Sequence, residues 1–267
     1  MAFNVLKEIQ EYYTDFIGGT PAIACEPFVS IATGTGAVGA TFVNSVDPYW
    51  GIVSLTSGTA SSSAQLVLDP SLFLLNKRPF RAHVQFMIPT LPVFGAADFI
   101  ITMGFSNENT TGFATITNGA RMRIQTNATQ TTGAVNTEVF SGSTTAVGGP
   151  NLEFPVGTTL TAGQWYNYYA QIDYINTSTQ LTYGNLVAGP TVGVRQWLIP
   201  DLGLNPSFPG VNQFNAFTQG YMGEYPVSLL PTANTGFVIG VTFNGGAART
   251  IQINRAYILA DRWNPGN

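Results

Sequence analysis

Alternation of apolar and polar side chains is the feature that most constrains the fold of this chain. From Trp165 to Tyr174, one set of alternate positions is aromatic or aliphatic and the other set is rich in amides. A period of two residues places successive side chains on opposite faces of a β-strand, so this segment is predicted to be a half-buried strand. The apolar face consists of Tyr166, Tyr168, Ala170, Ile172 and Tyr174. We expect these rings to pack in a core and across strands, which leaves the amide-rich face to contact a ligand.

The same period recurs from about residue 28 onwards, interrupted by Gly, Pro, Asn and Ser about every ten residues. Strands are predicted at 51–57, 63–69, 81–89, 98–105, 120–126, 235–244 and 249–261. The first two flank a short turn and are expected to form a hairpin. The predicted core is Leu55, Leu66, Val84, Phe86, Ile101, Tyr168, Ile172, Phe237, Ile239, Val241 and Ile253. Many short strands with regular turn signals predict an all-β sandwich or barrel.

The first residues follow a different pattern. Apolar side chains recur there at helical spacing, at Val5, Ile9, Tyr12 and Phe16. Glycines at positions 18 and 19 would end a helix. The sequence therefore predicts an amphipathic helix over residues 4–17, within an N-terminal helical arm and linker at 1–27. Such a helix must dock its apolar stripe on this domain or on a neighbouring subunit.

The remaining residues, 28–267, are assigned to one β-sandwich with a long loop insertion at about 184–234. This segment is rich in Pro and Gly and also contains many rings. Either the loop packs its rings under itself, or it forms a contact surface, because exposed aromatic side chains mark such surfaces. The candidates for contact with a partner come from the arm and from this segment: Tyr12, Tyr13, Phe16, Trp197, Phe217 and Tyr221.

Charged residues make up only 9% of the chain, and the net charge is −4. The only lysines are Lys7 and Lys77, and nucleic-acid binding requires a basic surface, so we expect no nucleic-acid partner. No apolar run is long enough to cross a bilayer, so no membrane partner is expected either. A surface with few charges gives weak repulsion between copies, which favours self-association as a dimer or trimer.

The residues needed for catalysis or metal binding are scarce. His83 is the only histidine and lies in a predicted strand, and there is no Gly-x-Ser-x-Gly motif, so a hydrogen-bonded or exposed strand histidine is expected. Cys25 is the only cysteine and is expected to be a small buried hydrophobic residue. Two such residues cannot form a zinc cluster. Asp69 and Asp173 remain as lone candidates for calcium ligands. Calcium needs several clustered oxygen ligands, so we expect no catalytic residues, no cofactor and no metal.

The order and spacing of several motifs carry a family resemblance. They are Gly51, Leu55, Gly58 and Thr59, then Gly104 and Phe105, then Gly163 and Trp165, and finally the alternating strand from Ile251 to Ala260. Over about residues 28–262 the chain resembles the concanavalin A-like jelly-roll domains of tailed-phage virion proteins. The resemblance implies a jelly-roll β-sandwich of two antiparallel sheets and a virion component that is not an enzyme.

Two functions follow from the resemblance. The favoured one is a head decoration or cement protein that stabilises the capsid surface, with other virion proteins such as the major capsid protein as partners. The alternative is a tail or fibre module that recognises host surface polysaccharide, in which Asn167 and Gln171 would bind sugar hydroxyls. A polysaccharide depolymerase is a third, less favoured class. In each case the protein is expected on the virion surface, after assembly in the host cytoplasm.

Overall fold

The structure is a computed structural model. It describes residues 10–14, 16, 25–42, 51–59, 62–73, 75, 79–90, 99–107, 116–125, 135–142, 151–152, 162–175, 179–182, 185–188, 191–200, 220–226, 230–243, 245 and 247–260. Within these ranges the chain forms seventeen β-strands and no helix. All pairs of neighbouring strands are antiparallel. The all-β fold predicted from the alternation is confirmed.

Eight of the strands form one sheet, which we call the eight-stranded sheet. Its members are β1 (Gln10–Thr14), β3 (Ala37–Phe42), β4 (Gly51–Thr56), β6 (Phe80–Met87), β11 (Trp165–Ile175), β14 (Thr191–Pro200), β15 (Gly220–Pro226) and β17 (Thr250–Ala260). Seven of them follow the order β15-β14-β11-β6-β17-β4-β3, and β1 also pairs with β17. Strands β6, β11 and β17 therefore occupy the middle of this sheet.

The second sheet, which we call the seven-stranded sheet, has the order β10-β9-β8-β7-β16-β5-β2. Its members are β2 (Val29–Thr33), β5 (Ser63–Phe73), β7 (Phe99–Ser106), β8 (Asn118–Gln125), β9 (Val135–Ser141), β10 (Asn151–Leu152) and β16 (Thr235–Phe243). Strands β12 (Thr179–Thr182) and β13 (Asn185–Ala188) form a separate two-stranded sheet.

The inner faces of the two large sheets form one hydrophobic core, and every residue of the predicted core is buried in it. The centre of this core is a group of phenylalanine rings. Phe105 lies with its ring centroid 5.6 Å from that of Phe73, 5.4 Å from Phe80 and 5.1 Å from Phe237. Phe80 belongs to the eight-stranded sheet and the other three rings belong to the seven-stranded sheet, so the group joins the two layers.

Residues 10–14 form strand β1, so the helix predicted over residues 4–17 is wrong for this part of the chain. The pairing of β17 explains the difference, because β4 pairs only with its beginning and β1 pairs with its end. Strand β1 thus binds backbone groups of β17 that would otherwise lack a partner along that edge. This tertiary pairing outweighs the helical spacing of the apolar residues. Whether residues 1–27 form a separate unit stays a prediction.

Strands β4 and β5 lie in different sheets, so the hairpin predicted over residues 51–69 is wrong. Leu55 and Leu66 are both buried, but they enter the core from opposite sides. The chain leaves β4 for the other sheet through Gly58, which has φ of +70°. A Cβ at this position would lie 2.5 Å from the carbonyl carbon of Thr35, so the crossing requires glycine. The alternation identifies the buried faces but does not say which sheet carries them.

The segment predicted as a long loop at about 184–234 contains the three strands β13, β14 and β15, so that prediction is wrong for much of its length. Strand β14 pairs with β11 over ten residues. Its Gln196 and Leu198 are buried on the inner face of the sandwich. The Pro and Gly content suggested a loop, yet Pro200 only ends β14 and Gly193 lies within it. Residues 201–219 lie outside the described part of the chain.

Candidate functional site on the outer face of the eight-stranded sheet

Five residues with rings occupy one row of register positions across the eight-stranded sheet. Cross-strand pairing places Trp197 beside Tyr169, and Tyr169 beside His83. The row continues from His83 to Tyr257, and from Tyr257 to Tyr13. We call these five residues the ring row, with Trp197 placed by its backbone register alone. Four gaps of about 4.8 Å between adjacent strands give the row a length of about 19 Å.

His83 connects two side chains of strand β11. Its ring stacks on that of Tyr169, with 4.5 Å between the ring centroids and an interplanar angle of 7°. Its Nε2 lies 2.9 Å from Oδ1 of Asn167. Because an amide oxygen can only accept, Nε2 donates this hydrogen bond, and Nδ1 is the acceptor when the ring is neutral. The prediction of a hydrogen-bonded strand histidine is confirmed.

The far end of the ring row is held by packing between two tyrosines. The rings of Tyr13 and Tyr257 meet edge to face, with 6.3 Å between their centroids and an interplanar angle of 67°. Such arrangements place the positive edge of one ring against the negative face of the other, and they are stabilising. Contacts between rings therefore support the orientation of Tyr169 and His83 at one end and of Tyr257 and Tyr13 at the other.

A β-bulge in β17 adds polar groups beside the ring row. The pairing of β17 with β6 shifts between Ile253 and Arg255. Burial shows the same shift, since Ile253 and Ala256 are both buried while Asn254 and Arg255 between them are half-buried. A bulge of this kind re-aims side chains, and here two polar ones lie on the outer face. Asn254 Nδ2 donates to Gln85 Oε1 over 2.9 Å.

Four members of the ring row are accessible from solvent. Tyr13 is 46% exposed, and it is one of the two exposed large hydrophobic side chains among the described residues. The side chains of His83, Tyr169 and Tyr257 are half-buried. Neighbouring register positions carry Gln171 and Arg81 on one side and Asn167 and Gln85 on the other. The face therefore offers flat apolar surfaces between hydrogen-bonding groups, a combination suited to a ligand that has both apolar faces and hydroxyl groups.

Two titratable groups of the described residues, Cys25 and Tyr168, are held in the core. Cys25 is buried, and burial raises the pKa of its thiol to about 11. The thiol is thus protonated near neutral pH, and only the thiolate is a strong nucleophile. Burial also raises the pKa of Tyr168 above its ordinary value, and its hydroxyl donates to Gln196 Oε1 over 2.8 Å.

The described residues contain no cluster of three or more His, Cys, Asp or Glu side chains arranged to hold a metal ion. They also include no helix with the length and apolar character required to cross a bilayer.

The structure separates the six contact candidates that the sequence suggested. Tyr13 and Trp197 belong to the ring row. Tyr12 is half-buried and packs edge to face on Phe73, with 5.8 Å between ring centroids. Phe16 is only 1% exposed and belongs to the core, so its proposed role in contacting a partner is corrected. Its apolar side chain therefore packs within the domain.

The other two candidates are only partly located. Tyr221 pairs with Gln196 in the register of β14 and β15, and Gln196 is buried on the inner face, so Tyr221 occupies an inner-face position. Phe217 lies outside the described residues. The two amides proposed to bind hydroxyls, Asn167 and Gln171, are half-buried on the outer face of β11, next to the ring row.

Sequence reasoning missed Tyr257 because the bulge changes the phase of β17. Counting by twos from Ile253 assigns Tyr257 to the buried face, whereas the structure places Ala256 and Ile258 there. The sequence carries a partial signal, since the alternation over residues 251–254 gives way to two adjacent polar residues and then to an unbroken apolar run at 256–260. Two adjacent polar residues at such a change of phase indicate a bulge.

Sequence comparison with known proteins does not identify a family for this chain. No protein-family model matches the chain. A stretch of 59 residues is 49% identical to "Protein Wnt-1" of Danio rerio, and this match covers 21% of the chain and 15% of that protein. The chain thus spans a small fraction of this relative, and the match does not show a family.

Comparison with solved structures identifies the fold. A protein of unknown function from Shewanella oneidensis MR-1 has a TM-score of 0.58 at 14% identity, covering 99% of this chain and 93% of that one. Lectin II from Ulex europaeus has a TM-score of 0.51 at 8% identity, covering 96% and 100%. The chain has a lectin-like jelly-roll fold. The endo-β-1,4-glucuronan lyase of Trichoderma reesei shares it, with a TM-score of 0.51 at 11% identity and coverage of 92% and 94%.

These likenesses are informative about the fold alone, because the sequence identities are so low. The concanavalin A-like jelly roll predicted from the resemblance is confirmed. A lectin and a lyase both have this fold, so the fold does not decide whether the chain is an enzyme. The assignments to a phage virion, to a partner and to a location stay predictions.

Proposed function

We propose that this protein binds a carbohydrate through the outer face of its eight-stranded sheet. The observation that carries the proposal is the ring row, in which Tyr169, His83, Tyr257 and Tyr13 follow one another across four adjacent strands. With Trp197 included, the row is about 19 Å long, which suits an extended oligosaccharide better than a single small molecule.

The chemistry of the row matches that of a sugar chain. A pyranose ring has an apolar face of C–H groups, which packs on an aromatic ring, and a rim of hydroxyls, which needs donors and acceptors. Amides supply both from one side chain, and Asn167, Gln85 and Asn254 already lie beside the rings. The hydrogen bonds that hold these amides in place also reduce the ordering cost of binding.

We further propose that the protein acts without catalysis on a phage particle, as a tail or fibre module that recognises host surface polysaccharide. The family resemblance in the sequence supports the phage setting. The state of the reactive groups supports a binding role, since His83 is stacked and hydrogen-bonded, and Cys25 is buried.

A head decoration protein is the second candidate, and one observation favours it. Only 9% of the residues are charged, so copies and capsid subunits could pack closely with little repulsion. Partners would then be further copies and the major capsid protein. Copy number separates the two proposals, because hundreds of copies per virion indicate the head and a handful indicate the tail. Quantitative gel analysis of intact particles measures this number.

Binding is tested on the purified chain with an array of bacterial capsular and O-antigen polysaccharides. An oligosaccharide from the strongest hit is then titrated while tryptophan fluorescence is recorded, since Trp165 is half-buried beside Met87 on the same sheet. We expect saturable binding that Tyr257→Ala weakens. The matched control is Val29→Ala, which removes exposed apolar surface from the other sheet. Absence of binding to every polysaccharide, or equal loss in the control, would contradict the proposal.

The absence of catalysis is tested separately on the same ligand. The protein is incubated with the polysaccharide, and reducing ends and unsaturated sugar products are measured over a day. We expect neither product to accumulate above the level without protein. Steady formation of either one, if abolished by His83→Ala, would show that the face is an active site.

A further inference from the structure

Among the described strands, β2 lies at an edge of the seven-stranded sheet, and it lacks the features that usually prevent such edges from pairing with another chain. It pairs with β5 on one side, in regular register from Val29 to Thr33. Its sequence is Val-Ser-Ile-Ala-Thr, without a charged residue or a proline. Natural edge strands are commonly protected by lysine, proline, a bulge or very short length, because their backbone groups otherwise pair with another chain.

Two of the other sheet edges differ from β2 in this respect. Strand β15 contains Glu224 and ends at Pro226, and strand β10 has only two residues. Strand β3, which follows β2 along the chain, is also uncharged but contains Gly39. The unprotected edges thus lie in consecutive strands, one in each large sheet.

The side chains of β2 form an apolar surface at this edge. Val29 is 63% exposed, more than Tyr13, which is the other exposed large hydrophobic side chain among the described residues. Ile31 packs against a small apolar cluster of Val67 and Val238, separate from the main core. Val29 pairs with Val67 in the register, so it lies next to the same cluster. The cluster therefore ends at the free edge with an exposed apolar side chain.

We propose that two copies of this chain pair through their β2 strands and form a homodimer. In an antiparallel pair centred on Ile31, Val29 lies opposite Thr33 of the partner subunit, and Ser30 lies opposite Ala32 of the partner subunit. A two-fold axis at the Ile31 pair maps this arrangement onto itself, as an isologous interface requires. The two seven-stranded sheets then form one continuous sheet, and the apolar clusters of the two copies become adjacent.

A second copy is favoured over an unrelated strand for two reasons. Neither paired strand carries a charge, so the pairing brings no like charges together. The same exposed valine occurs on both sides, so each copy covers apolar surface of the other. A dimer or trimer was predicted from composition, with contacts through the arm or the segment 184–234. The structure points to a different surface, and this inference is independent of carbohydrate binding.

Light scattering coupled to size-exclusion chromatography tests the dimer on the full-length protein. We expect the mass of two chains for the natural sequence and of one chain for Val29→Lys, because two lysines would then be placed in the interface. Tyr13→Lys is the matched control, since it also replaces an exposed hydrophobic side chain but lies on the other sheet, and we expect it to remain a dimer. Circular dichroism checks that both variants keep the β-sheet spectrum.

Crosslinking provides a readout that does not depend on disrupting the interface. In Ile31→Cys the two introduced thiols meet at the two-fold axis, where Cα separations of about 4.5–5.5 Å in paired strands permit a disulfide. We expect a dimer band on a non-reducing gel after mild oxidation, and none for Tyr13→Cys. The native Cys25 is buried and does not interfere. A natural protein with the mass of one or three chains, a dimeric Val29→Lys variant, or equal crosslinking of both cysteine variants would overturn the proposal.

Discussion

The phenylalanine group at the centre of the core predicts a large loss of stability for Phe105→Ala. Phe105 is 1% exposed, and its ring contacts those of Phe73, Phe80 and Phe237. Truncation of a buried phenylalanine costs about 3–5 kcal/mol, and the loss of three ring contacts places this variant in the upper part of that range. For a chain of this size each kcal/mol lowers Tm by about 2–4 °C, so a loss of about 4–5 kcal/mol corresponds to a decrease of about 8–20 °C.

Urea denaturation followed by tryptophan fluorescence gives the free energy of unfolding for this comparison. The matched control is Phe105→Leu, which retains most of the volume but not the ring, and it is expected to cost less than about 1.5–2 kcal/mol. The reasoning requires that the group joins the two sheets through Phe80. A loss below about 2 kcal/mol for Phe105→Ala, or equal losses for both variants, would refute it.

Three further predictions concern the site, the backbone and pH. Tyr169→Ala should raise the Kd for the selected oligosaccharide about 4- to 13-fold. The Tyr169 ring is already half-buried, so ligand binding buries only the other half, which contributes about half of the 1.5–3 kcal/mol of a fully buried ring. Calorimetry should show almost no change in Kd for Tyr169→Phe. Gly104→Ala should destabilise the fold by at least about 1–3 kcal/mol in urea, because φ is +145° and the added Cβ would lie 2.4 Å from the Ala120 oxygen, whereas Gly142→Ala has no neighbour within 4 Å and should cost less. Because burial raises the pKa of Cys25 from 9.0 to about 11, the unfolded chain loses this proton first as pH rises. Stability should therefore be unaffected by this group below pH 9 and fall between pH 9 and 11, a fall that Cys25→Ala should reduce in denaturation curves.

The strands and the core could be predicted from the sequence because burial on one face imposes a period of two. Val84 and Phe86 on β6, or Ile239 and Val241 on β16, are apolar because the inner faces of both sheets need such residues. The same pattern cannot say which strands share a sheet. The crossing at Gly58 therefore looked like a hairpin, and strand β1 looked like a helix because tertiary pairing with β17 decides its structure.

The candidate site was harder to predict because it is assembled across strands that are distant in sequence. Asn167 and Gln171 were found because they share β11 with the tyrosines, but Tyr13 and Tyr257 join the row only through the register of β1, β17 and β6. Register depends on which strands pair, which the alternation does not reveal, and on the bulge at Asn254 and Arg255, which the sequence indicates only in part.

A crystal structure of the protein with the oligosaccharide selected from the array tests the central claim most directly. We predict sugar rings lying across β11, β6 and β17 on the outer face of the eight-stranded sheet. At least one ring should stack on Tyr169 or Tyr257, with hydroxyls bound by Asn167 or Asn254. Density for the oligosaccharide on the seven-stranded sheet, or only at the loops at one end of the sandwich, would contradict the assignment of the ring row as the binding site.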